Sequence, residues 1–442
     1  MIKRYIKVAV TAFIYVLFST TVALAEEPQI SWDDCVREAK RQHPDLVSAF
    51  EKIKQAKASK EITRSAVLPQ ITGTAAENTS NGVGVTSSGS SGQGVTSLQG
   101  GGESASSTRY EYGADLQQLL FDGFKTSYTL SSNQRSIEAS RYNYDVTSSN
   151  IRLQLRTAYS NLLAAQELVK VTEEIEGRRK QNLELVRLRY EGGREHRGSL
   201  LTSEADLAQA VYDVNQAKRN VYLAQRQLMK ELGARKFVPF TAMGALEVRE
   251  AEHVRPDFEK LSDTTPLLRQ LIEKKEAAKF DLKSAKAGFF PQIYLTAGES
   301  NSNTDAFPDQ NQWSLGTSLS LPIFDGGNTI ATVQKAKATL GQAEADERSG
   351  RDGVIYTLSN TWTQLQNNIE NTTVQAKVLE AAEVRARIAE AEYSIGLLIY
   401  DNWIIIENAL VAAKKVFVNA KLNAMIAEAN WVQAKGGTLD YD

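Results

Sequence analysis

The sequence predicts a fold of mixed α and β structure, mainly α, built from two copies of one unit and exported from the cytoplasm. Three observations lead to this prediction: an N-terminal signal, an ordered series of internal repeats, and long heptad-patterned helices beside alternating strands. The 442 residues allow two or three domains or one large duplicated domain. With 51 Lys and Arg against 53 Asp and Glu, the formal charge of −2 argues against a nucleic-acid binder.

The first 25 residues have the pattern of a secretory signal peptide. Basic residues within the first seven positions precede an apolar stretch from 8 to 18 and a small-residue cleavage site ending at Ala25. A retained membrane anchor is the alternative, but polar residues at 19–21 interrupt the apolar run. The mature protein is therefore expected to be exported, with Cys35, its only cysteine, buried and free.

Internal repeats define the organisation of the mature chain. The motif around Pro69 recurs around Pro291, and the Phe-Asp-Gly motif at 121–123 recurs at 324–326. The offset between copies shortens from 222 to 203 residues across the Gly/Ser-rich stretch 82–102, which is predicted to be a mobile loop. The predicted domains are the signal peptide 1–25, a first repeat 26–232, an inter-repeat segment 233–265, and a second repeat 266–442.

Each repeat is predicted to contain an initial helix, two strands, a very long helix, a Gly-containing turn and a second long helix. The initial helices are placed at about 32–66 and 266–287, and the long helix of the first copy at about 126–190. At 1.5 Å per residue that long helix spans roughly 95 Å, which is too long for a compact globule and suits the crossing of a periplasm.

Period-two alternation predicts the strands, with apolar residues on one face and small polar residues on the other. A half-buried soluble hairpin and a membrane barrel both fit this pattern, and export together with the small polar face favours the barrel. Four strands per chain cannot close a barrel, so chains must pool strands to reach at least eight. The predicted apolar face comprises Tyr110, Tyr112, Ala114, Leu116 and Leu120 in the first copy, and Trp313, Leu315, Thr317, Leu319, Leu321 and Ile323 in the second.

The last long helix of each copy carries large apolar residues every seven positions, from Leu200 to Leu228 and from Trp403 to Trp431. A row of alanines beside each heptad series lets a second helix approach closely, which suits a closed ring of helices. An antiparallel coiled-coil hairpin is the alternative. The predicted seam residues are Ala210, Ala217, Ala224, Ala413, Ala420 and Ala427.

The duplicated order, the Pro-Gln strand openings, the two Phe-Asp-Gly corners and the helix-turn motifs at 189–194 and 393–397 together resemble the TolC-like outer-membrane channel family. The resemblance covers essentially all of the mature chain. It implies a homotrimer whose twelve-stranded outer-membrane β-barrel continues into a periplasmic α-helical barrel with an equatorial domain. It also implies a passive exit duct, in contact with outer-membrane lipid, that a periplasmic adaptor joins to a proton-driven or ATP-driven inner-membrane pump.

The resemblance places the adaptor contact and the entrance gate at the two helix turns. The implied adaptor contacts are Gly192, Gly193, Arg194, Ile395, Gly396 and Leu397. The candidate gate residues are Tyr393, Asp401, Asn402, Glu195 and Arg197, with His196 close by.

This sequence departs from the family's gate pattern at four positions. The gate arginine position is Leu398, the acidic-ring positions are Asn402 and Ile405, and the acidic position of the first copy is Ser199. The usual salt-bridge lock is therefore not expected. The charged residues near the turns are expected either to form a different polar constriction or simply to be solvated.

These observations bear on three classes of function: an export channel, a periplasmic adaptor or scaffold, and an enzyme. The first and favoured class is an export channel. Within it, small-molecule efflux is favoured because it is the more frequent task in the family, and type I protein secretion, which uses ducts of the same kind, is the alternative. A periplasmic coiled-coil adaptor or scaffold would explain the signal and the heptads but not the duplicated strand pairs. No nucleophile elbow, phosphate-binding loop or His-Glu-x-x-His motif occurs, so no enzymatic activity, cofactor or metal is expected.

Overall fold

The computed structural model describes residues 28–83, 104–234, 236–248, 254–304, 306 and 311–441. The predicted signal peptide and nearly all of the predicted Gly/Ser-rich loop lie outside these residues. The chain forms two compact units. The first is drawn from Asp145–Thr265, Val354–Asp442 and the described part of Met1–Ser48, and the second from Ala49–Tyr144 and Pro266–Gly353.

Long helices dominate the described chain, and the two repeats have matching element orders. Among the described residues, no helix is both long and apolar enough to cross a membrane. The elements in chain order are β1 (Gln29–Ile30), α1 (Trp32–Gln42), α2 (Pro44–Ser65), β2 (Gln70–Val83), β3 (Ser104–Phe121), α3 (Lys125–Glu191), α4 (Arg197–Leu232), β4 (Thr241–Ala242), α5 (Phe258–Ser262), α6 (Pro266–Ala287), β5 (Gln292–Asn303), β6 (Asn311–Ser320), α7 (Asn328–Ile395) and α8 (Tyr400–Ala434).

The long helix α3 and the initial helix α6 of the second repeat agree with the sequence prediction. The initial helix of the first repeat does not, because the predicted segment 32–66 is divided into α1 and α2. His43 ends α1 in an extended conformation with ψ 123°. The following Pro44 disfavours a helical conformation at His43, because its ring crowds the preceding residue.

The second unit contains a four-stranded antiparallel sheet in the order β2-β3-β5-β6. Residues that pair across the strands lie on the same face of the sheet. One such row contains Ile71, Leu116, Ala297 and Leu315, so the predicted apolar residues Leu116 and Leu315 of the two repeats lie on one face. This face is uncovered within the chain, where Trp313 is 79% exposed. The predicted two-faced strand pattern is therefore confirmed for the central part of the sheet.

Two details of the strand prediction are wrong. A β-bulge between Leu119 and Phe121 leaves Leu120 unpaired and sets Phe121, rather than Leu120, opposite Ile293. In the second repeat β6 ends at Ser320, so the predicted strand residues Leu321 and Ile323 lie beyond it. Pro322 lies between those two residues and has no N–H to donate to a neighbouring strand.

The core of the first unit lies between its long helices. One cluster groups Phe258 with the buried rings of Trp362 and Trp431, and a second surrounds Tyr393 and Trp403. All six alanines of the predicted seam are buried. Along α4 the alanines and the large residues alternate at spacings of three and four, so both rows share one buried stripe.

The described N-terminal part of the chain is anchored in the first unit. Strand β1 pairs in parallel with β4 of the inter-repeat segment, and α1 begins with a capping box formed by Ser31 and Asp34. Cys35 on α1 is fully buried, as expected, and burial raises the pKa of its thiol to about 12. This thiol is therefore protonated and inert at neutral pH.

Candidate functional site

The two helix turns that join α3 to α4 and α7 to α8 are built in the same way. Gly193 has φ +68° and Gly396 has φ +84°, conformations that favour glycine. One residue further on, Arg194 N–H donates to the Arg189 carbonyl at 2.8 Å and Leu397 N–H donates to the Glu392 carbonyl at 2.9 Å. Both long helices therefore end in a Schellman-type cap, with the predicted glycine as the left-handed residue.

The two turns lie side by side in the first unit, and Arg189 joins them. Its Nη1 donates to the Tyr393 carbonyl at 2.8 Å, and its guanidinium lies 4.6 Å from the centre of the Tyr393 ring. Sequence reasoning missed Arg189 because the resemblance implies a gate arginine at position 398, where this chain has Leu398. That leucine packs, partly buried, against the cluster around Tyr393.

Tyr393 is the best-fixed of the candidate gate residues. Its ring is fully buried and stacks on Trp403 at 4.2 Å between centroids. Its hydroxyl donates to Glu195 Oε2 at 2.9 Å, so a residue near the end of α7 is tied to a residue two positions before the start of α4. Burial, reinforced by the neighbouring Glu195 carboxylate, raises the pKa of Tyr393, which remains a protonated donor at neutral pH.

Glu195 accepts three hydrogen bonds in this arrangement. Besides the Tyr393 hydroxyl, the Ser199 hydroxyl donates to it at 2.9 Å and the His196 N–H at 3.2 Å. Burial acts to raise the pKa of Glu195, but these hydrogen bonds outweigh burial, and the net pKa is lowered. Ser199, at the position where the resemblance implies an acidic residue, therefore acts here as a donor to a carboxylate four residues earlier.

The other predicted site residues are at the surface of the same end. His196 caps α4 by accepting from Ser199 N–H through Nδ1 at 3.2 Å. Among the candidate gate residues the structure thus brings Tyr393 and Glu195 together and leaves three exposed at the starts of α4 and α8. The exposed residues are Gly192, Gly193, Arg194, Ile395, Gly396 and Leu397 at the turns, and Arg197, Asp401 and Asn402 on the helices.

A second polar cluster ties the same helices together further from the turns. Arg178 on α3 donates from Nε and Nη2 to both oxygens of Glu407 on α8, each at 2.7 Å. Glu407 is only 1% exposed and also accepts from Asn182 Nδ2 at 3.2 Å. Arg178 additionally reaches Glu390 on α7 at 3.2 Å. No local sequence pattern marks this cluster, because Arg178 and Glu407 lie 229 residues apart in the chain. The equivalent carboxylate of the first repeat, Glu204, is exposed.

The two turns expose side chains of different character. The first turn presents exposed cationic side chains at Arg194 and Arg197, whereas the second presents exposed apolar ones at Ile395, Leu397 and Ile399. Within the described ranges no group of three or more His, Cys, Asp or Glu side chains is arranged to hold a metal ion.

Comparison with known proteins covers most of the chain. The family model described as Outer membrane efflux protein matches residues 35–234 and 259–437. The Outer membrane efflux protein BepC of Brucella suis is 24% identical over 329 residues, which are 73% of this chain and 71% of the relative. The Outer membrane protein TolC of Escherichia coli is 25% identical over 429 residues, 92% of this chain and 80% of the relative.

A solved structure shows the same fold at low sequence identity. The open state of the Neisseria gonorrhoeae MtrE outer membrane channel superposes with a TM-score of 0.78 and 19% identity. The match covers 96% of this chain and 95% of that chain. The order of helices and strands described above is therefore that of a known channel fold.

Proposed function

Because the chain belongs to the outer membrane efflux protein family, we propose that three copies assemble into one passive exit duct across the outer membrane. The protein is an outer-membrane component of an export system, and its family is one of transport proteins rather than enzymes. The observation that carries the proposal is the four-stranded sheet, whose outer strands β2 and β6 have no further neighbour among the described strands.

The geometry of this sheet supports the assembly of several copies. In lipid every backbone N–H and C=O needs a partner, so the outer edges of β2 and β6 must pair with strands of other copies. Three copies supply twelve strands, an even number within the range of outer-membrane barrels. The alternation of apolar and small polar faces then gives the barrel an apolar outside and a polar lumen.

The turn end of the first unit is proposed as the entrance and the adaptor contact. Both turns are exposed, and Arg189 holds them next to each other, so they form one composite surface. A periplasmic adaptor that binds there would join the duct to an inner-membrane pump, which supplies the energy. We propose that the duct serves small-molecule efflux. Type I protein secretion is the alternative, and measuring dye accumulation and secreted protein in the same strains distinguishes the two.

Turn substitutions test the adaptor contact. Gly396→Glu places a charged side chain at a left-handed, exposed turn, and we expect export to be lost while the trimer still reaches the outer membrane. Gly177→Ala is the matched control, because a Cβ at this helical glycine meets no neighbouring atom within 4 Å. The assay compares accumulation of a fluorescent dye and secreted protein in a deletion strain that carries each variant. Export by the Gly396→Glu variant at the level of the control would contradict the proposal.

A substitution at Asp401 tests whether the charged residues near the turns form a polar constriction at the entrance. This carboxylate is exposed in the first turn of α8, and three symmetry-related copies in a narrow entrance would favour cations. We expect Asp401→Ala to lower cation preference in single-channel recordings from planar bilayers. Unchanged conductance and selectivity would place Asp401 outside the pore.

A further inference from the structure

The two repeats differ at an ion pair between their long helices. Lys218 on α4 and Lys421 on α8 occupy equivalent positions, 203 residues apart. In the first repeat Lys218 pairs with Glu173 on α3 at 2.9 Å. The residue equivalent to Glu173 in the second repeat is Ala376 on α7. The second repeat therefore keeps the cation but lacks the carboxylate that pairs with it in the first.

Lys421 contacts an aromatic ring instead of an acidic side chain. Its ammonium lies 4.6 Å from the centre of the Phe417 ring, one helical turn earlier on α8. Lys421 is half-buried, and no carboxylate of the described residues forms an ion pair with it. An ammonium that is partly withdrawn from water and has no counter-charge favours an anion that can reach it.

A cleft of about 470 Å³ lies beside this lysine, and all of its lining residues belong to the first unit. Helices α7 and α8 form two walls, and Leu246 and Val248 of the inter-repeat segment form the third. Most of the lining side chains are apolar. The Thr372 hydroxyl on α7 ties the first two walls together by donating to the Ala420 carbonyl on α8 at 3.2 Å. The cleft has the size of small-molecule sites, which is about 300–1,000 Å³.

The position of the missing carboxylate is part of this cleft. Ala376 lines the cleft together with Phe417 and Lys421. Of the described residues in the lining, Glu247 is the one with an acidic side chain, but it is exposed and does not pair with Lys421. A carboxylate carried by a ligand can therefore take the role that Glu173 has in the first repeat, while the rest of the ligand contacts apolar walls.

We propose that this cleft binds an apolar organic acid, whose carboxylate pairs with Lys421 and whose body lies between α7, α8 and the inter-repeat segment. An organic cation is a less suitable ligand, because the Lys421 ammonium already occupies the Phe417 ring. Phe417 is 17 residues beyond Tyr400, the first residue of α8, or about 26 Å along the helix. The site is therefore separate from the adaptor contact proposed at the turns and does not depend on which substrate the duct exports.

Photolabelling of the purified protein in detergent locates the ligand and measures its charge preference. The probe is 4-benzoylbenzoate, an aromatic carboxylate whose benzophenone group crosslinks to nearby C–H bonds under ultraviolet light. The neutral comparison is 4-benzoylbenzamide, and the cationic comparison is 4-(aminomethyl)benzophenone. Mass spectrometry of peptides identifies the labelled segments. We expect the carboxylate to label 246–248, 369–376 or 417–424 about tenfold more than the amide does at limiting concentration.

Substitution of the lysine tests its role in binding. Lys421→Met removes the charge and keeps an apolar side chain of similar length, so we expect labelling by the carboxylate to fall about tenfold, to the level of the amide. Lys180→Met is the matched control, because Lys180 is exposed on α3 of the same unit. Melting temperatures show whether both variants are folded. Equal labelling of the two variants by the carboxylate would overturn the proposal.

Restoring the carboxylate of the first repeat supplies a second measurement. In Ala376→Glu the new side chain is expected to pair with Lys421, as Glu173 pairs with Lys218. We expect labelling of the cleft by 4-benzoylbenzoate to fall about tenfold or more, with an equal or higher melting temperature. Undiminished labelling of this variant would contradict the proposed position of the ligand carboxylate.

The remaining outcomes of the labelling experiment are also decisive. Absence of label in the three segments with every probe would mean that the cleft is covered in the assembled protein, for instance by a second copy. Equal labelling by the acid and the amide would mean that the cleft accepts apolar molecules regardless of charge. Stronger labelling by the amine would assign recognition to Glu247. Each of these three results would overturn the proposed acid site.

Discussion

Glu204 and Glu407 occupy equivalent positions in the two repeats but have different surroundings. Glu204 is 45% exposed and lies 3.8 Å from Arg187 in a loose surface pair. Glu407 is buried, with two hydrogen bonds from Arg178 and one from Asn182. The two repeats therefore allow a direct comparison between an exposed and a buried carboxylate at equivalent positions of α4 and α8.

We expect Glu407→Ala to destabilise the protein far more than Glu204→Ala. Removal of Glu407 leaves the partly buried Arg178 guanidinium without its principal partner, which costs about 3 kcal/mol in the free energy of unfolding. Loss of an exposed ion pair costs about 0.2–1 kcal/mol. Melting temperatures of the two variants in detergent, followed by circular dichroism, measure the difference. Equal melting temperatures would mean that the buried cluster contributes no more than a surface pair.

We expect the hydrogen bond between Tyr393 and Glu195 to make the turn end sensitive to acid. Because the folded-state pKa of Glu195 is lowered from its ordinary value of 4.5, its stabilisation is present above that value and is lost as the pH falls through the lowered pKa. Tyr393→Phe removes one of the three hydrogen bonds, so the folded-state pKa moves back toward 4.5. We expect channel opening on acidification, beginning at a higher pH in Tyr393→Phe than in the unchanged protein.

Single-channel recordings between pH 7 and pH 3.5 test this expectation. Ser203→Ala is a suitable comparison, because the Ser203 hydroxyl bonds Tyr400 at 3.0 Å and not Glu195. The acid response of that variant is expected to begin at the same pH as in the unchanged protein. An identical onset in Tyr393→Phe would show that Glu195 does not control the entrance.

At the scale of elements, α4 and α8 each bury a stripe of small and larger residues, and Asp213 on α4 pairs with Lys415 on α8 at 2.6 Å. On α4 the alanines at 210, 217 and 224 alternate with Val214 and Leu228, and all five are buried within the chain. On α8 the same spacing places Ala413, Ala420 and Ala427 among larger residues. Small residues in such a stripe allow close approach of helix axes, so a bulky side chain there has no space.

We expect Ala217→Phe to impair assembly more than Lys218→Ala. Overpacking at a closely packed helix contact costs about 1–3 kcal/mol in each copy. Lys218 is exposed and pairs with Glu173 at 2.9 Å, a surface interaction of small value. The temperature at which oligomers dissociate in semi-native gel electrophoresis compares the variants. The same dissociation temperature for both would remove the argument from the small-residue stripe.

At the scale of the whole molecule, the four-stranded sheet has two edges, at β2 and β6, without a strand partner among the described residues. Pairing β6 of one copy with β2 of the next satisfies both edges and continues the alternation of faces. Closure in this way uses the same contact at every boundary and suits a cyclic oligomer.

The purified protein in mild detergent is therefore expected to have the mass of a trimer. Light scattering coupled to size exclusion, with correction for bound detergent, provides the measurement. Four strands per chain in three copies give twelve, whereas a monomer would leave a four-stranded sheet with open edges, which lipid does not tolerate. A monomeric mass for protein extracted from outer membranes would contradict the proposed assembly.

The sequence by itself determined the features that depend on local patterns. Period-two alternation identified the faces of β3 and β6, and long helical stretches identified α3. Glycines marked both helix turns, because the left-handed conformation at Gly193 and Gly396 is a local requirement. Where local rules compete, the prediction failed in detail: Pro44 divided the initial helix, and a bulge displaced Leu120.

Only the tertiary structure decided the polar contacts that organise the turn end. Glu195 and Tyr393 are 198 residues apart in the chain, and Arg178 and Glu407 are 229 apart. Their pairing depends on how two helical hairpins pack, and no periodicity along the chain encodes which faces meet. The sequence could therefore name Tyr393 and Glu195 separately as gate candidates, but their hydrogen bond, like the seating of Arg189 on the Tyr393 ring, follows from hairpin packing.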